Sequence, residues 1–382
     1  MVARDRVIGR IVELSERGLD LKSFWAESTD VIVSAIPHYL GPCWFTFDPA
    51  TLLVTSHYQE GLPEIPYEWL ADEYYADDFN KMADVARSAS GVSTLLQATD
   101  GDPSRSARYR EQIVPYGGEQ EMLVGLRTRH GDVWGCLGLY RATGQDEFDE
   151  DDLALSRALS PVLAEGARRA LLFAEASEPD HPTSPGLIIV GDRWEVESMT
   201  PAAEVLLADL PDGDWPNGVL PSSVNAVAGH VLRGVENGGT DDGAFSRVLS
   251  RTGRWLALHG SPIVIEGNRR VAVIIEPADP ARITPLLMEA YRLTEREQEV
   301  TRLVLRGAST IEIAGALFIS QATVQQHLKS IFEKTSVRSR RDLVGKVFFA
   351  HYEPRVRDNE RRASAGAAIR GGPAPLTTTG AG

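Results

Sequence analysis

The chain is poor in the residues and runs that mark secreted, metal-binding and membrane proteins. Its two cysteines, Cys43 and Cys136, stand far apart without a CxxC or Cys/His cluster, so the sequence predicts no disulfide framework and no structural zinc site. No apolar stretch approaches the roughly 20 residues that span a bilayer, and no charged leader precedes an apolar run. We therefore expect a cytoplasmic protein with no membrane partner.

Sequence motifs of catalysis are also missing. The chain has no Gly-x-x-x-x-Gly-Lys-Ser/Thr loop, which excludes a P-loop ATPase. Its early acidic residues do not form the aspartate cluster and later lysine of a phosphorylated receiver domain. Two isolated cysteines do not support a cysteine-dependent reductase. We therefore predict no enzymatic activity, no catalytic residues, no metal and no cofactor.

Positive charge is scarce overall but concentrated in one segment. The whole chain has 39 Lys and Arg against 54 Asp and Glu. Residues 291–352 have 10 basic residues against 6 acidic ones, whereas residues 1–290 have 24 against 45. An acidic protein with one basic segment is best explained if that segment meets an anionic partner such as nucleic acid.

Within this basic segment, helix start and stop signals follow each other closely. Thr294 and Glu297 form a Thr-x-x-Glu capping box, and Gly307 is placed to end the helix that follows. Ser309 and Glu312 repeat the capping box at the start of a second helix. A third helix is predicted after Ser320. The apolar positions of the first two helices recur at helical spacing; they are Val300, Leu303, Val304, Ile313, Ala314 and Leu317.

The third helix has one apolar face and one small, polar face. Its buried face is predicted to hold Val324, Leu328, Ile331 and Phe332. The opposite face carries Ala322, Gln326 and Lys329, with Thr323 and Ser330 at its edge and Gln325 on the flank. Such a face suits a helix whose first half enters a DNA major groove. A helical bundle with no nucleic-acid role remains the alternative on pattern alone.

The string LTEREQEVTRLVLRGASTIEIAGALFISQATVQQHLKSIFEKTSVRSR resembles the LuxR-type four-helix DNA-binding domain. The matching motifs are the LTxRExEV opening, the S-x-x-E-I-A second helix, the T-V-x-x-H recognition helix and the V-R-S-R approach to a fourth helix. Lys334-Thr335-Ser336-Val337 stands where the family usually has Lys-Leu-Gly-Val, so we expect a different cap or some strain there. Gln325 and Gln326 replace basic residues common in the family, which favours adenine over guanine readout.

The outer-face geometry and the resemblance together indicate the DNA-contacting residues. The residues predicted to reach base edges are Gln325, Gln326 and Lys329. Those predicted to contact phosphates, which position the protein without specifying sequence, are Thr323, His327, Arg338 and Arg340.

Residues 1–175 are predicted to form an α+β sheet domain. A first helix spans residues 3–20, with an apolar side made of Val7, Ile8, Ile11, Val12 and Leu14. Period-two stretches then predict two hairpins, CWFTF with LLVTSHY and EMLVGLRTR with VWGCLGLYR, before a helix that opens with acidic residues. This layout resembles a GAF domain, which implies a sensor of small molecules or partners with terminal helices that pair between subunits. Aromatic residues between 61 and 118 are expected mainly to fill its core.

Residues 187–279 predict two strands, two helices and three further strands, which resembles a PAS domain. The flavin-adduct cysteine motif of light-sensing relatives is absent, and the isolated His230 and His259 do not favour haem binding. A Pro-rich linker is predicted at 176–186, the DNA-binding unit at 280–352 and a disordered tail at 353–382.

The sequence therefore predicts a multidomain protein with an α+β GAF-like domain, an α+β PAS-like domain and an all-α four-helix LuxR-type helix-turn-helix domain. We expect a homodimeric transcription regulator whose binding to promoter DNA is controlled by its sensory domains. A small-molecule or protein effector and RNA polymerase are the further candidate partners. The alternative is a non-enzymatic partner-sensing scaffold with a vestigial DNA-binding domain.

Overall fold

The computed structural model describes residues 2–59, 68–173, 185–237, 243–265, 268–278, 288, 291–305, 307–335, 337–340 and 342–343. The chain divides into two compact units, Met1–Ala278 and Asp279–Gly382. The predicted linker at 176–186 and the first residues of the predicted DNA-binding unit, 280–292, lie largely outside the described residues, and the predicted tail at 353–382 lies wholly outside them.

The first unit contains two five-stranded antiparallel sheets, and the first sheet follows the order β2-β1-β5-β4-β3. Its strands are β1 Leu40–Phe47, β2 Val54–Tyr58, β3 Val92–Thr94, β4 Gly118–Arg127 and β5 Val133–Ala142. Both predicted hairpins are confirmed, because β1 pairs with β2 and β4 pairs with β5 in antiparallel register. Side chains of β1 alternate between the faces, so that Trp44 and Phe45 enter different cores.

Helices cover both faces of this sheet. They are α1 Val2–Glu16, α2 Leu21–Val33, α3 Glu68–Tyr75, α4 Met82–Arg87, α5 Leu95–Ala98 and α6 Glu150–Phe173. The Trp44 face packs against α1, α2 and α6, where Trp25 stacks on Trp44 at a centroid distance of 4.4 Å. The opposite face packs against α3 and α4.

The prediction for the first helix is partly wrong. Ile11 and Leu14 are buried as expected, but Val12 is 36% exposed and the helix ends at Glu16 instead of residue 20. A second helix, Leu21–Val33, was not predicted; the Asp20 side chain caps it by accepting from the Ser23 backbone N–H. Asp20 is therefore a start signal that lay inside the residues assigned to one long helix.

The second sheet of the first unit has the order β7-β6-β10-β9-β8. Its strands are β6 Gly186–Val190, β7 Val196–Met199, β8 Ala244–Leu249, β9 Trp255–Ile265 and β10 Asn268–Pro277, and its helices are α7 Pro201–Asp209 and α8 Ser222–Glu236. The predicted order of two strands, two helices and three strands is confirmed. Apolar residues of one sheet face, among them Val190 and Val273, form a core with the two helices.

The two sheet-bearing halves of the first unit are joined by a buried ion pair. Asp48 lies in the turn after β1 and Arg247 on β8, and they are 1% and 6% exposed. The Arg247 backbone N–H and Nε donate to Asp48 Oδ2 over 3.0 and 2.8 Å, and a second guanidinium nitrogen donates to Oδ1 over 2.5 Å. The carboxylate thus receives backbone and side-chain donors from one residue of the other half.

A close helix crossing makes the second connection between these halves. A Cβ atom on Gly229 of α8 would lie 2.3 Å from the carbonyl oxygen of Ala71 on α3, so only glycine permits this approach. Beside it, Tyr75 and Trp194 meet edge to face with ring centroids 5.6 Å apart. The two halves therefore share one continuous core.

The second unit contains three described helices, α9 Glu295–Leu305, α10 Thr310–Leu317 and α11 Gln321–Thr335. Both predicted capping boxes are present, at Thr294 with Glu297 and at Ser309 with Glu312. Gly307 adopts a positive φ of 84°, as its position after α9 predicted. Of the predicted fourth helix, the described part shows Ser339 Oγ accepting from the Asp342 N–H.

No helix among the described residues is long and apolar enough to cross a membrane. In the same part of the chain, His, Cys, Asp and Glu side chains nowhere come together in a group of three that could hold a metal ion.

Candidate nucleic-acid interface and internal cavity

The turn between α10 and α11 sets the direction of the third helix. Phe318 ends α10 in the left-handed conformation, with φ 54°. Ser320 then caps α11, since its Oγ accepts from the Thr323 N–H over 3.0 Å. The turn and the cap together allow α11 to leave α10 at an angle and pack across the two preceding helices.

Burial along α11 separates its two faces. Val324, Leu328 and Ile331 are at most 2% exposed and share a core with α9 and α10. Gln325, Gln326 and Lys329 are exposed, and the Lys329 side chain retains 81% of its accessible surface. Because the inner face is occupied by the core, these three side chains form an outer surface that a polyanion can reach.

The predicted phosphate-contacting residues have less uniform surroundings. Arg338 is exposed, whereas Thr323 and His327 are half-buried. The half-buried Arg340 donates to the Ala308 carbonyl over 2.9 Å and to Thr310 Oγ1 over 3.0 Å. Its guanidinium therefore holds the start of α10 in this structure.

Gln325 is also held at the start of α10, because its Nε2 donates to Thr310 Oγ1 over 3.3 Å. Lys329 has a weaker neighbour, Glu333 Oε1, at 4.0 Å from its Nζ. Both contacts are exposed, and such contacts contribute little free energy. Gln325 and Lys329 can consequently exchange these partners for a ligand at low cost.

Glu297 ties the first helix to the third. Its Oε2 accepts from the Thr294 N–H over 2.7 Å and from Lys334 Nζ over 2.6 Å, and its Oε1 accepts from Ser330 Oγ over 2.6 Å. Burial raises the pKa of this carboxyl, but hydrogen bonds from Lys334, Ser330 and Thr294 outweigh it and hold the pKa below its ordinary value. Ser330, predicted at the edge of the outer face, is turned to this carboxylate.

Of the residues after α11 for which a different cap or strain is expected, Thr335 and Val337 are described and Ser336 lies outside the described residues. Thr335 is 1% exposed and its hydroxyl donates to the Ile331 carbonyl over 2.7 Å. The Val337 N–H closes the helix end by donating to the Phe332 carbonyl over 3.0 Å. A threonine that satisfies its own hydroxyl inside the helix can therefore stand where the family has leucine.

The first unit contains a partly open cavity of about 510 Å³. It lies on the face of the first sheet that α3 and α4 cover, and residues between Pro211 and Asn225 from the other half complete its wall. A volume of this size falls in the range typical of small-molecule sites. Its aromatic lining residues are Phe45, His57, Tyr58, Trp69, Tyr116 and Tyr140.

An ion-paired cluster of Glu73, Arg108 and Glu121 lines one side of the cavity. The Arg108 guanidinium donates to Glu73 Oε2 over 3.0 Å and to Glu121 Oε2 over 2.8 Å. Glu73 Oε1 also accepts from the Met82 N–H over 2.6 Å. Burial raises the pKa of Glu73 to about 7 although Arg108 opposes this change.

His57 faces the same cavity from β2. Its ring stacks on Phe45 at a centroid distance of 4.5 Å, and its Nε2 is buried without a hydrogen-bond partner among the described residues. Burial lowers the pKa of this imidazole to about 4, so the ring is neutral at pH 7. Its backbone N–H donates to Asp212 Oδ2 over 2.6 Å.

The cavity residues were not singled out from the sequence, although a signal was present. Alternate residues of a strand point to the same face of the sheet, so Glu121 shares a face with the buried Leu123. His57 lies directly opposite the buried Phe45 and shares its face. The alternation therefore places both polar side chains on the apolar inner face. Trp69 lies in the stretch whose aromatic residues were expected mainly to fill the core, and it lines the cavity.

Glu73 and His57 are expected to have opposite effects on the pH dependence of folding. Between about pH 4.5 and 6.5, folded Glu73 is protonated more than unfolded Glu73, so its contribution to stability falls as pH rises toward 7. Folded His57 is protonated less than unfolded His57 in that window, so its contribution falls as pH drops toward 4. In the wild type, the two contributions to the pH dependence of stability therefore cancel in this window.

In a Glu73→Gln variant, the pH dependence of the free energy of unfolding should show the contribution of His57 without the opposing contribution of Glu73. The free energy of unfolding of the variant is expected to rise by about 1.4 kcal/mol per pH unit, relative to wild type, between about pH 4.5 and 6.5. Urea unfolding at a series of pH values measures this difference. If the free energy of unfolding changed with pH in the same way in both proteins, the raised pKa of a buried Glu73 would be contradicted.

Several solved structures align with parts of the chain at low similarity. The ligand-binding domain of VqsR from Pseudomonas aeruginosa aligns with 44% of this chain and 96% of its own length, at 19% identity and a TM-score of 0.30. Bacteriophytochrome RpBphP3 from R. palustris aligns with 72% of this chain and 62% of its own length, at 9% identity and a TM-score of 0.33. TM-scores at this level do not establish a shared fold.

Sequence relatives match short parts of the chain. The CsgBAC operon transcriptional regulatory protein of Escherichia coli (strain K12) is 45% identical over 56 residues, which are 15% of this chain and 26% of that protein. The transcriptional regulatory protein DesR of Bacillus subtilis (strain 168) is 43% identical over 61 residues, 16% of this chain and 31% of that protein. The chain thus spans about a quarter to a third of the length of these relatives.

Residues 291–347 match the family described as bacterial regulatory proteins, luxR family. The match covers α9, α10 and α11 with their caps. Residues 291–347 are therefore a luxR-family helix-turn-helix domain.

Proposed function

We propose that this protein is a sequence-specific DNA-binding transcription regulator whose DNA binding is controlled by the sheet-bearing first unit. The observation that carries the proposal is the two-faced α11, with a buried inner face and exposed Gln325, Gln326 and Lys329 in a luxR-family domain. The glutamines offer bidentate pairing to adenine, and Lys329 suits guanine O6 or N7.

The phosphate contacts are assigned to Thr323, His327, Arg338 and Arg340. Arg338 is exposed and ready for such a contact. Arg340 would first have to leave Ala308 and Thr310, or else would position the start of α10 toward the backbone. In a homodimer, each α11 would read one half-site, with half-site centres about one DNA turn, ~10 bp, apart.

We further propose that the first unit comprises a GAF-like domain over 1–175 and a PAS-like domain over 187–279. The support is the strand order, in which each sheet places its five strands as second, first, fifth, fourth and third. The internal cavity supports a sensory role. An effector would act only through different affinities for the DNA-competent and DNA-incompetent states.

A non-enzymatic scaffold that senses a partner protein is the second candidate function, because the first unit alone could serve it. Selection of bound sequences from random duplex DNA, followed by footprinting of the selected site, separates the two. A protected, enriched sequence is the result expected for a regulator. Absence of any enriched sequence would favour the scaffold.

Lys329→Ala is expected to weaken binding to the selected site by ~1 to 3 kcal/mol and to relax the base preference at one position. Arg302→Ala is the matched control, because Arg302 is an exposed cation of α9 whose side chain, among the described residues, bonds within its own helix to Gln298. Fluorescence anisotropy with the selected duplex and with single-base variants measures both effects. Equal affinity and specificity of Lys329→Ala and wild type would refute the base contact.

A further inference from the structure

We propose that the cavity of the first unit binds a small aromatic or heteroaromatic molecule that carries a protonated amine or amidine. The inference deepens the proposed function and rests on it for the regulatory role, since it names the chemical class of the effector. Binding itself follows from the cavity alone.

Negative charge prevails along the cavity wall. Four carboxyl groups line it, from Glu73, Glu121, Asp212 and Asp214, against two cations, Arg108 and Lys22. Asp214 and Lys22 are both exposed and offset each other, and burial leaves Glu73 about half protonated at pH 7. Glu121 and Asp212 therefore outweigh Arg108, so a cation entering the cavity would gain a partner, whereas an anion would meet a guanidinium already paired with Glu121 and Glu73.

Glu121 supplies the acceptor for that cation. Its side chain is 1% exposed, and among the described residues both donors to it, Arg108 and Asn80 Nδ2, meet the same oxygen, Oε2. The other oxygen, Oε1, has no donor in that part of the chain. A carboxylate oxygen of a buried side chain favours an N–H donor with a positive charge, which forms the shorter and stronger bond.

Aromatic side chains supply the rest of the contact surface. Trp69 and Tyr116 meet edge to face with centroids 5.1 Å apart, and Phe45 and His57 stack 4.5 Å apart with planes within 8°. Aromatic faces attract both flat rings and cations.

A molecule bound in the cavity can also contact the second sheet-bearing half of the unit. Asp212 accepts from the backbone N–H of His57 on the first sheet and from that of Ser222 at the start of α8, over 2.6 and 3.0 Å. An occupant that contacts Asp212 therefore touches the joint between the two halves. This placement provides a route by which occupancy could alter how the halves pack.

Isothermal titration calorimetry of the full chain with matched probes tests the proposal. The probes are tryptamine, an aromatic cation; indole-3-acetate, an aromatic anion; 3-methylindole, a neutral aromatic; and hexylamine, a cation without a ring. We expect tryptamine to bind at least about tenfold more tightly than each other probe, a difference of about 1.4 kcal/mol. Absence of tryptamine binding at millimolar concentration, or tighter binding of indole-3-acetate, would overturn the proposal.

Variants assign the binding to this cavity. Glu121→Gln keeps the shape and removes the charge, and Trp69→Leu removes an aromatic wall from a half-buried position. Each should lower tryptamine affinity at least about tenfold. Glu111→Gln is the control, because it removes the same charge from an exposed site outside the cavity lining. Unchanged affinity in Trp69→Leu and in a folded Glu121→Gln protein would contradict the assignment.

Anisotropy with the selected DNA duplex, repeated with and without tryptamine, separates this inference from the proposed function. Tryptamine binding that leaves DNA affinity unchanged supports the cavity and contradicts effector control by this class of ligand. Sequence-specific DNA binding without any tryptamine binding supports the regulator and overturns the cavity proposal.

Discussion

Asp48→Ala is expected to lower the free energy of unfolding of the first unit by about 3–5 kcal/mol, because it leaves the Arg247 guanidinium buried without its carboxylate. It also removes the acceptor for two backbone N–H groups, those of Ala50 and Arg247. Urea unfolding followed by far-ultraviolet circular dichroism measures the change. Asp48→Asn, which keeps an amide oxygen as acceptor but loses the charge, should fall between the wild type and Asp48→Ala.

Asp102→Ala is the matched control for this experiment. Asp102 also accepts a backbone N–H in a turn, that of Ser104, but it is exposed. Its loss is expected to cost at most about 1 kcal/mol, the usual effect of removing a cap. If Asp48→Ala were no more destabilising than Asp102→Ala, the buried pair would not be what joins the two halves.

Glu297→Ala is expected to destabilise the second unit by roughly 2–3 kcal/mol, since it removes a helix cap and the hydrogen bonds that Ser330 and Lys334 donate to a buried carboxylate. The loss should be concentrated in α9 and α11, which the carboxylate links through Thr294, Ser330 and Lys334. Amide hydrogen exchange of residues 295–305 and 321–335, followed by mass spectrometry, measures it. Specific DNA binding should fall in parallel, because α11 loses its anchor.

Glu312→Ala separates the cap from the ion pair. Glu312 occupies the same position in the capping box of α10 and accepts from the Ser309 N–H over 2.7 Å, but it is exposed, and its bonds to other described residues stay within its own box. It should therefore be the milder variant, with faster exchange confined to the start of α10. Equal loss of protection across α11 in both variants would show that Glu297 acts as a cap alone.

The contacts that join the two sheet-bearing halves of the first unit suggest how an effector would act. The Asp48–Arg247 pair, the Gly229 crossing and the Asp212 hydrogen bonds lie on one continuous core, and the cavity opens along it. Packed interfaces tend to switch between discrete arrangements instead of deforming smoothly. A ligand that favours one arrangement of this joint would shift the population of the whole unit.

Local sequence signals were sufficient for the second unit. Capping boxes at Thr294 and Ser309, the left-handed Gly307 and the apolar spacing in α11 depend on residues at most a few positions apart. Such short-range rules predicted the helix starts and the buried face. The same holds for the two hairpins of the first sheet, where alternation specifies both pairing and faces.

Contacts between distant residues could not be predicted in this way. The side-chain bonds of Arg340 to Ala308 and of Ser330 to Glu297 join residues about 30 positions apart, so only the folded arrangement of the helices brings them together. The missed helix at Leu21–Val33 is a different case, because its cap at Asp20 is local and was placed inside an overlong first helix.

The sequence alone was sufficient to predict a luxR-type helix-turn-helix in a basic segment, two successive α+β sheet regions before it, and the outward face of the third helix. The tertiary structure alone decided that the sheet regions share one core, that Asp48 meets Arg247, and that Glu73, Arg108 and Glu121 surround a cavity. The physical reason is the separation along the sequence over which each effect acts. Propensity, capping and periodicity act within a few residues, whereas burial of charge and the shape of a cavity depend on side chains that the chain brings together from far apart.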